Sequence, residues 1–388
     1  MSRIEELIKE KCPDGVEYRT IESVIELMQP KIKIKSNDYL QCGKYPVIDQ
    51  GKEFIGGYTN EETTFLKDEY VIFGDHTCVV KYIDFEFVQG ADGVKVLKAD
   101  KTVILPRYLY HCMTAIKMVV DYARHWSKMK IEEIPVPPIE VQQEIVRILD
   151  KFTELEAELQ VELNARKKQY GEYLNLLMDF SNNDSIKYMS VGELFEIKNG
   201  LNKEKEAFGK GKPIINFTDV FKKRYLVNGN FFGLVDVNEE EIERYSAKKG
   251  DVFFTRTSET REDIGMSSTL IEDVEECVFS GFVLRARPLT NFLLPKFCSY
   301  YFSTNHVRRT IMRYASFTTR ATTTGPKLSK IMVPILPISE QQQIVDILDR
   351  MDAICNDYEK GLPAEIEARH KQYEYYRDKL LTFERKVV

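Results

Sequence analysis

"PVPPIEVQQEIVRILD" occupies residues 135–150, and "PILPISEQQQIVDILD" occupies residues 334–349. The chain carries the same unusual phrase twice, 199 residues apart. Gln142, Gln143, Ile145, Val146, Ile148, Leu149 and Asp150 match Gln341, Gln342, Ile344, Val345, Ile347, Leu348 and Asp349 in turn. Farther on the offset becomes 203, where "ARKKQYGEYLNLLMDF" (165–180) lies over "ARHKQYEYYRDKLLTF" (368–383). The second copy therefore has four extra residues, near "KGLPA" (360–364). "YRTIESVIEL" from Tyr18 and "YMSVGELFEI" from Tyr188 correspond more loosely. A repeat on this scale says duplication: globular segment, helix, globular segment, helix.

The prolines at 135, 137 and 138 forbid helix and favour an extended lead-in. Beyond them Ile145, Ile148, Phe152, Leu155, Leu159, Leu163, Tyr170, Tyr173 and Leu177 recur at steps near three and four. That spacing is the seam of a coiled coil. The second copy offers Ile344, Leu348, Met351, Ile354 and Tyr358, then Ile366, Tyr373, Tyr376, Leu380 and Phe383. Gly361 and Pro363 interrupt it, so a kink or short break is expected there. A helix of about 35 residues is roughly 50 Å long. Its apolar stripe needs a partner, and the other copy, packed antiparallel, is the nearest one. The boundaries read as globular 1–133, helical 134–180, globular 181–327 and helical 328–388.

Composition is that of an ordinary globular chain, with 43% hydrophobic and 30% charged residues over 388 positions. No apolar run approaches the roughly 18 residues that cross a bilayer. The start, "MSRIEELIKEK", is charged and helical and does not resemble a signal peptide. Seven cysteines without a CxxC pair read as reduced thiols in a cytoplasm. Net charge is −6. By segment it is −3 for 1–133, −4 for 134–180, +3 for 181–327 and −2 for 328–388. The window 281–330 holds nine basic residues and no acidic one: Arg285, Arg287, Lys296, Arg308, Arg309, Arg313, Arg320, Lys327 and Lys330. It reads either as a phosphate-binding footprint or as a solvated face without acids.

An antiparallel pair of long helices presents two globular domains related by a pseudo-twofold axis. Duplex DNA has twofold symmetry of its own, and protein dimers match it with two readers at a fixed spacing. Here one chain would carry two unlike readers, so the expected target is split and asymmetric.

The paired "IPVPPIEVQQEIVRILDKF" and "VPILPISEQQQIVDILDRM", with their long helices, resemble the specificity (S) subunit of type I restriction–modification systems. The resemblance covers essentially the whole chain. "YPVIDQGKEFIGGYTN" (45–60) and "YVIFGDHTCVVKYIDFEFVQGADGVKVL" (70–97) are similar to one kind of target-recognition domain. "GDVFFTRTSETREDIG" (250–265), followed by "SGFVLRARP" (280–288), is similar to another. The implied fold class is α/β in the α+β sense. Two recognition domains with mixed, twisted β-sheets are joined by two long antiparallel coiled-coil helices. The implied role is non-catalytic reading of double-stranded DNA. Two methylation (M) subunits would dock on the helices at Gln142, Gln143, Ile145, Leu149, Gln341, Gln342, Ile344 and Leu348. Two restriction (R) subunits can join them. S-adenosylmethionine, ATP and Mg would belong to those partners, and no cofactor or membrane to this chain.

The residues themselves offer no catalytic motif. "VPPI" (136–139) lacks the amide and the aromatic of an NPPY-like methyltransferase tetrapeptide. "FGKGKP" (208–213) has the wrong spacing for a phosphate loop. Neither HExxH nor a paired metal-ligand set is present.

Base edges are read by Arg, Lys, Asn, Gln and acids, and phosphates by hydroxyls and amides. In the first domain "YVIF", "TCVVKYI" and "GVKVL" read as strands. Loops between them carry the candidates Gln50, Lys52, Tyr58, His76 and Thr77. "GDHT" around His76 reads equally as a structural turn. "YARHWSKMK" (122–130) gathers Arg124, His125, Lys128 and Lys130 around Trp126, itself either core or base-stacking wedge. In the second domain "TRTSETRED" (255–263) supplies Arg256, Ser258, Glu259 and Arg261, with Glu259 a cytosine acceptor. A surface loop with an internal ion pair is the other reading. "SFTTRATTTGPK" (316–327) supplies Thr319, Arg320, Thr322 and Lys327 as a phosphate clamp, or is a plain linker.

An enzyme with a divergent active site, which activity of the isolated chain would show, stays open, and so do two further alternatives. One is a scaffold joining two protein clients without DNA. The other is the specificity part of a fused restriction–modification polypeptide.

Overall fold

The computed structural model describes residues 3–62, 64–90, 93–121, 123–231 and 233–386. It divides into two compact units, Met1–Val161 with Ala364–Val388, and Glu162–Pro363. Each takes one globular domain, part of the first long helix and part of the second helical region.

In the first unit the main sheet runs Ile25–Met28, Val94–Ala99, Tyr70–Gly74, Val80–Ile83, antiparallel throughout. "YVIFG" is buried at every position, because its strand is covered on both faces. A second sheet orders Gly57–Thr59, Tyr45–Ile48, Val88–Gln89, with Val47 parallel to Val88. In the second unit the main sheet runs Phe195–Asn199, Val283–Pro288, Val252–Thr255, Ser267–Leu270, Tyr225–Leu226. Its first four strands repeat the order of the first unit. Leu234–Val235, Phe208–Ile215 and Val278–Phe279 repeat the second sheet, and Ile214 is parallel to Val278.

The duplication extends to strand register. Tyr18 faces Pro135 in the ribbon Glu17–Thr20 with Glu133–Val136, and Tyr188 faces Pro334 in the ribbon Lys187–Ser190 with Met332–Ile335. These are the extended lead-ins that the prolines demanded. A third small sheet, Thr257–Ser258, Ala321–Thr322, Ser316–Phe317, exists in the second unit and has no counterpart among the described residues of the first.

The first helix is continuous over 39 residues, Ile139–Leu177, or about 58 Å at 1.5 Å per residue. Its copy is two 19-residue helices, Ile338–Asn356 and Leu362–Leu380. The expected break sits where Gly361 approaches the preceding turn. A Cβ there would lie 2.5 Å from the Ala353 carbonyl oxygen. Pairing inside the first unit is antiparallel. Phe152 stacks on Tyr376 at 5.2 Å, and Glu156 meets His370 at 3.3 Å. In the second unit Arg224 bridges Tyr170 and Asp352.

The buried stripe keeps Ile145, Leu159, Leu163, Tyr170, Leu348, Tyr373 and Leu380 of the expected seam and departs from it at other positions. Tyr170, Leu174 and Met178 are buried, and Tyr173 is exposed. Val345, Leu348 and Cys355 are buried, whereas Ile354 and Tyr358 are exposed. Each helix packs on its own globular domain as well as on the facing helix, and that second contact rotates the buried face.

The same packing corrects the docking residues. Gln142 and Gln341 are fully buried. Ile145 and Leu149 belong to the core of the first unit; Leu348 belongs to that of the second, with Ile344 packed against it. A partner subunit cannot reach Gln142, Gln341, Ile145, Leu149 or Leu348, whereas Ile344 is half-buried and keeps part of its side chain at the surface. Gln143 and Gln342 stay on the exposed face, and Gln342 donates to Asp346 at 2.7 Å.

Candidate nucleic-acid interface

Each buried glutamine fastens a short helix that starts with Leu-Pro. Gln142 Oε1 accepts from the Leu105 amide at 2.8 Å, and Gln341 Oε1 from the Leu294 amide at 2.9 Å. The helices that follow, Pro106–Ala115 and Pro295–Tyr301, then place a cation on the long helix. Arg107 Nε meets Asp150 at 2.8 Å, and Lys296 Nζ meets Asp349 at 2.5 Å. "LPRYLYHC" (105–112) over "LPKFCSYY" (294–301) is a further piece of the repeat that sequence reading missed. Leu-Pro followed by a cation was the available signal.

In the first unit the loop from Asp49 to Phe54 is tied down from within. Buried Lys81 donates to the carbonyls of Asp49 at 2.9 Å and Glu53 at 2.5 Å. Burial pushes its ammonium below the usual range. Thr77 Oγ1 donates to the Gln50 carbonyl at 2.6 Å, and the His76 amide to Gln50 Oε1 at 3.2 Å. Gln50 and Thr77 thus build the "GDHT" turn, and the turn reading holds for them. The His76 side chain is half-buried beside them, Lys52 is exposed, and Tyr58 is half-buried on its strand.

His125 is a correction. It is fully buried, and its amide donates to the Asp75 carbonyl at 2.8 Å. Trp126 packs against the core, 5.8 Å from Phe73, so the core reading is the right one for it. Lys130 is engaged by Glu22 at 2.6 Å. Arg124 and Lys128 stay exposed around this plug; Tyr122 lies outside the described residues.

The acid-free window also resolves into two parts. Arg285 is 1% exposed, donates to the Ser246 carbonyl at 2.7 Å, and meets Glu196 at 3.2 Å. Burial lowers its pKa below the usual range. Arg287 forks onto Asp251 at 2.9 and 2.7 Å. Lys296 is held by Asp349, and Arg308 donates to the carbonyls of Gly265 and Glu262 at 2.5 and 2.9 Å. Acids remote in sequence pair with Arg285, Arg287 and Lys296, and backbone carbonyls hold the Arg308 guanidinium, so these four are engaged within the fold. Arg309, Arg313, Arg320, Lys327 and Lys330 remain nearer the surface.

The two candidate stretches of the second domain converge. Thr257 pairs with Thr322 and Ser258 with Ala321 in the small extra sheet. The ladder leads on to Glu259 and Arg320, which meet at 3.8 Å with 87% and 66% of their side chains exposed. The Arg256 amide donates to the Phe282 carbonyl at 3.1 Å, and its own carbonyl accepts from Thr323 at 3.0 Å. This seam leaves the Arg256 side chain exposed. Arg261 and Thr319 are exposed, and Thr322 is half-buried. Lys327 donates to Ser316 Oγ at 2.5 Å.

Beside the small sheet lies an open cleft of about 540 Å³, walled by Phe217, Phe221, Phe282, Ser258, Glu259 and Arg320 among others. Phe217 and Phe221 stack at 5.6 Å, and Phe282 is 65% exposed. The sequence reading missed these aromatics, because an exposed phenylalanine carries no mark in one sequence.

The helix Trp126–Met129 of the first unit and Gly325–Leu328 of the second are also copies, at the offset of 199. Lys128 and Lys327 therefore hold equivalent places, a correspondence that sequence reading did not draw.

The family model described as type I restriction modification DNA specificity domain matches residues 13–165 and again 183–368. An Escherichia coli relative, the type I restriction enzyme EcoR124I/EcoR124II specificity subunit, is 32% identical over 96% of both chains. In fold, the chain is similar to the S subunit of a type I restriction–modification system from M. genitalium. That match has a TM-score of 0.52 at 17% identity and covers 95% of this chain and 96% of that one. A chain from a structure of type I system assembly and conformational transition aligns with a TM-score of 0.59 at 16% identity, covering 96% and 98%. Repeated domain, repeated register and matched length agree: the chain belongs to the type I restriction–modification DNA specificity family.

Proposed function

We propose that this chain is the DNA-reading subunit of a type I restriction–modification complex. Each globular domain reads one half of a split, asymmetric duplex target. The observation that carries this reading is the duplication in register, two copies of one β framework bearing unlike loops. Equivalent frameworks suit the twofold geometry of duplex DNA, and unlike loops suit two different half-sites.

Lys128 and Lys327 are the equivalent phosphate anchors in this reading, one per half-site. Bases are read by the loops above them. Two methylation subunits dock on the helices, at exposed positions such as Gln143, Leu155, Gln342 and Ile347. Restriction subunits join where the system has them. The chain itself catalyses nothing and holds no cofactor; S-adenosylmethionine, ATP and Mg serve its partners. It works in the cytoplasm, and among the described residues no helix is long and apolar enough to cross a membrane.

The test is a methylation map. The chain is co-expressed with its genomically adjacent methyltransferase in an unmethylated host, and modified bases are sequenced. An adenine motif of two short unlike halves around a fixed gap is expected. One continuous motif would leave a single reading domain, and a stable complex without methylation would return the chain to a scaffold role.

A further inference from the structure

The cleft of the second unit has a charge pattern that selects its ligand. Two carboxylates, Glu259 and Asp263, and one guanidinium, Arg320, line it beside Thr257, Ser258 and an aromatic wall. A phosphate would meet more negative than positive charge here. A base-pair edge would not, because it presents donors and acceptors side by side without net charge.

The free state of the pair fits such a ligand. Glu259 and Arg320 stand across the last rung of the small ladder, since Thr257 pairs with Thr322 and Ser258 with Ala321. They touch only at 3.8 Å and are mostly in water. An exposed pair at that distance is held weakly and separates readily. Asp263, by contrast, is already engaged by the Thr260 hydroxyl at 2.7 Å. Among the charged groups of the cleft, Glu259 and Arg320 are therefore the two with side chains to spare.

We infer that Arg320 and Glu259 are the specificity-determining pair of the second domain, and that together they read the major-groove edge of one G·C pair. This inference rests on the DNA-reading role proposed above. Arg320 donates its fork to guanine O6 and N7, and Glu259 accepts from the cytosine N4 amino group. While DNA is absent the two opposite charges lie side by side at 3.8 Å, and the carboxylate lowers the pull of Arg320 on phosphate. Phe282, exposed at the same rim, supplies an apolar contact to the neighbouring step, where a thymine methyl is the matching group. The extra sheet that holds the pair is missing from the described residues of the first unit. The readout therefore belongs to one half of the target.

The methylated motif of the complete methyltransferase complex is mapped for the wild type and for Arg320→Ala, Arg320→Lys and Glu259→Ala. Both side chains are largely in solvent, so all three variants should fold, and thermal melting of each complex checks that. Arg320→Ala is expected to relax one G·C position in one half-site, with discrimination against the wrong base falling by about 5- to 100-fold. Arg320→Lys should relax it too, because an ammonium lacks the bidentate fork. Glu259→Ala should relax the same position. Three outcomes would overturn the inference: an unchanged motif, a uniform loss of methylation that Arg320→Lys restores, or relaxation in both halves. The second would make Arg320 a phosphate contact. A wild-type complex that sets no motif would instead remove the DNA-reading role itself.

Discussion

Gln142 and Gln341 occupy the same place in two copies of one fold and close the same three hydrogen bonds. Each carboxamide oxygen accepts from a leucine amide ahead of a proline-led helix, Leu105 or Leu294. Each nitrogen donates to two carbonyls, Val103 and Pro137 in one copy, Phe292 and Leu336 in the other. The most conspicuous letters of the repeated phrase are thus internal rivets. Gln142→Ala or Gln341→Ala strands a buried amide and two carbonyls. We expect a loss of about 2–4 kcal/mol of stability for either, given the cost of unsatisfied buried groups. Urea unfolding of the purified chain measures it, and the affinity of the remaining folded protein for a methyltransferase subunit should not change.

Arg285 separates fold charge from reading charge. It is buried, donates to the Ser246 carbonyl, and lies over the Phe279 ring at 5.3 Å. Its acid partner Glu196 is 44% exposed, so the cost of removing the side chain is mainly the cavity it leaves. Arg285→Ala should lower stability by about 2 kcal/mol and leave the methylated motif as it was. A changed motif with unchanged melting would reverse that assignment.

Lys128 and Lys327 should behave as sequence-neutral anchors. Each alanine substitution is expected to reduce the slope of log affinity against log salt by about one. Titrating labelled duplex at several salt concentrations gives that slope. The preferred sequence should stay the same for both variants, in contrast to Arg320→Ala.

His111 sets a pH dependence that only the first copy has. Its ring lies 2.9 Å from Asp150 and 3.0 Å from the Tyr373 hydroxyl, with Arg107, Arg377 and Tyr110 also facing it. Burial pushes its pKa below the ordinary 6.5, against the opposing pull of Asp150. Below pH 6.5 the unfolded chain binds a proton at this position that the folded chain resists. The contribution of this histidine is therefore complete above pH 6.5 and is lost as pH falls through the lower folded value. The equivalent residue in the second copy is Tyr300, which meets Asp349 at 2.6 Å. His111→Tyr is expected to flatten the fall in stability just below pH 6.5, measured as melting temperature against pH. A fall of the same steepness in that variant would place the titrating group elsewhere.

The sequence by itself determined the duplication, the extended proline lead-ins, the long helices and the break near Gly361. Those are local matters, since proline geometry, helical period and repeated letters act within a few turns of chain. The family resemblance was legible for the same reason. Which charges face DNA was not legible. Arg285, Arg287, Lys296 and Arg308 stand in a window without acids, yet Glu196, Asp251, Asp349 and the carbonyls of the 262–265 loop meet them from elsewhere. His125 looked like a loop cation and is a plug, because the Asp75 carbonyl binds its amide from 50 residues away. Glu259 and Arg320 looked like members of separate loops, and only antiparallel pairing of Thr257–Ser258 with Ala321–Thr322 set them opposite each other. Burial and cross-strand pairing depend on which distant segments meet. Only the tertiary structure could decide them.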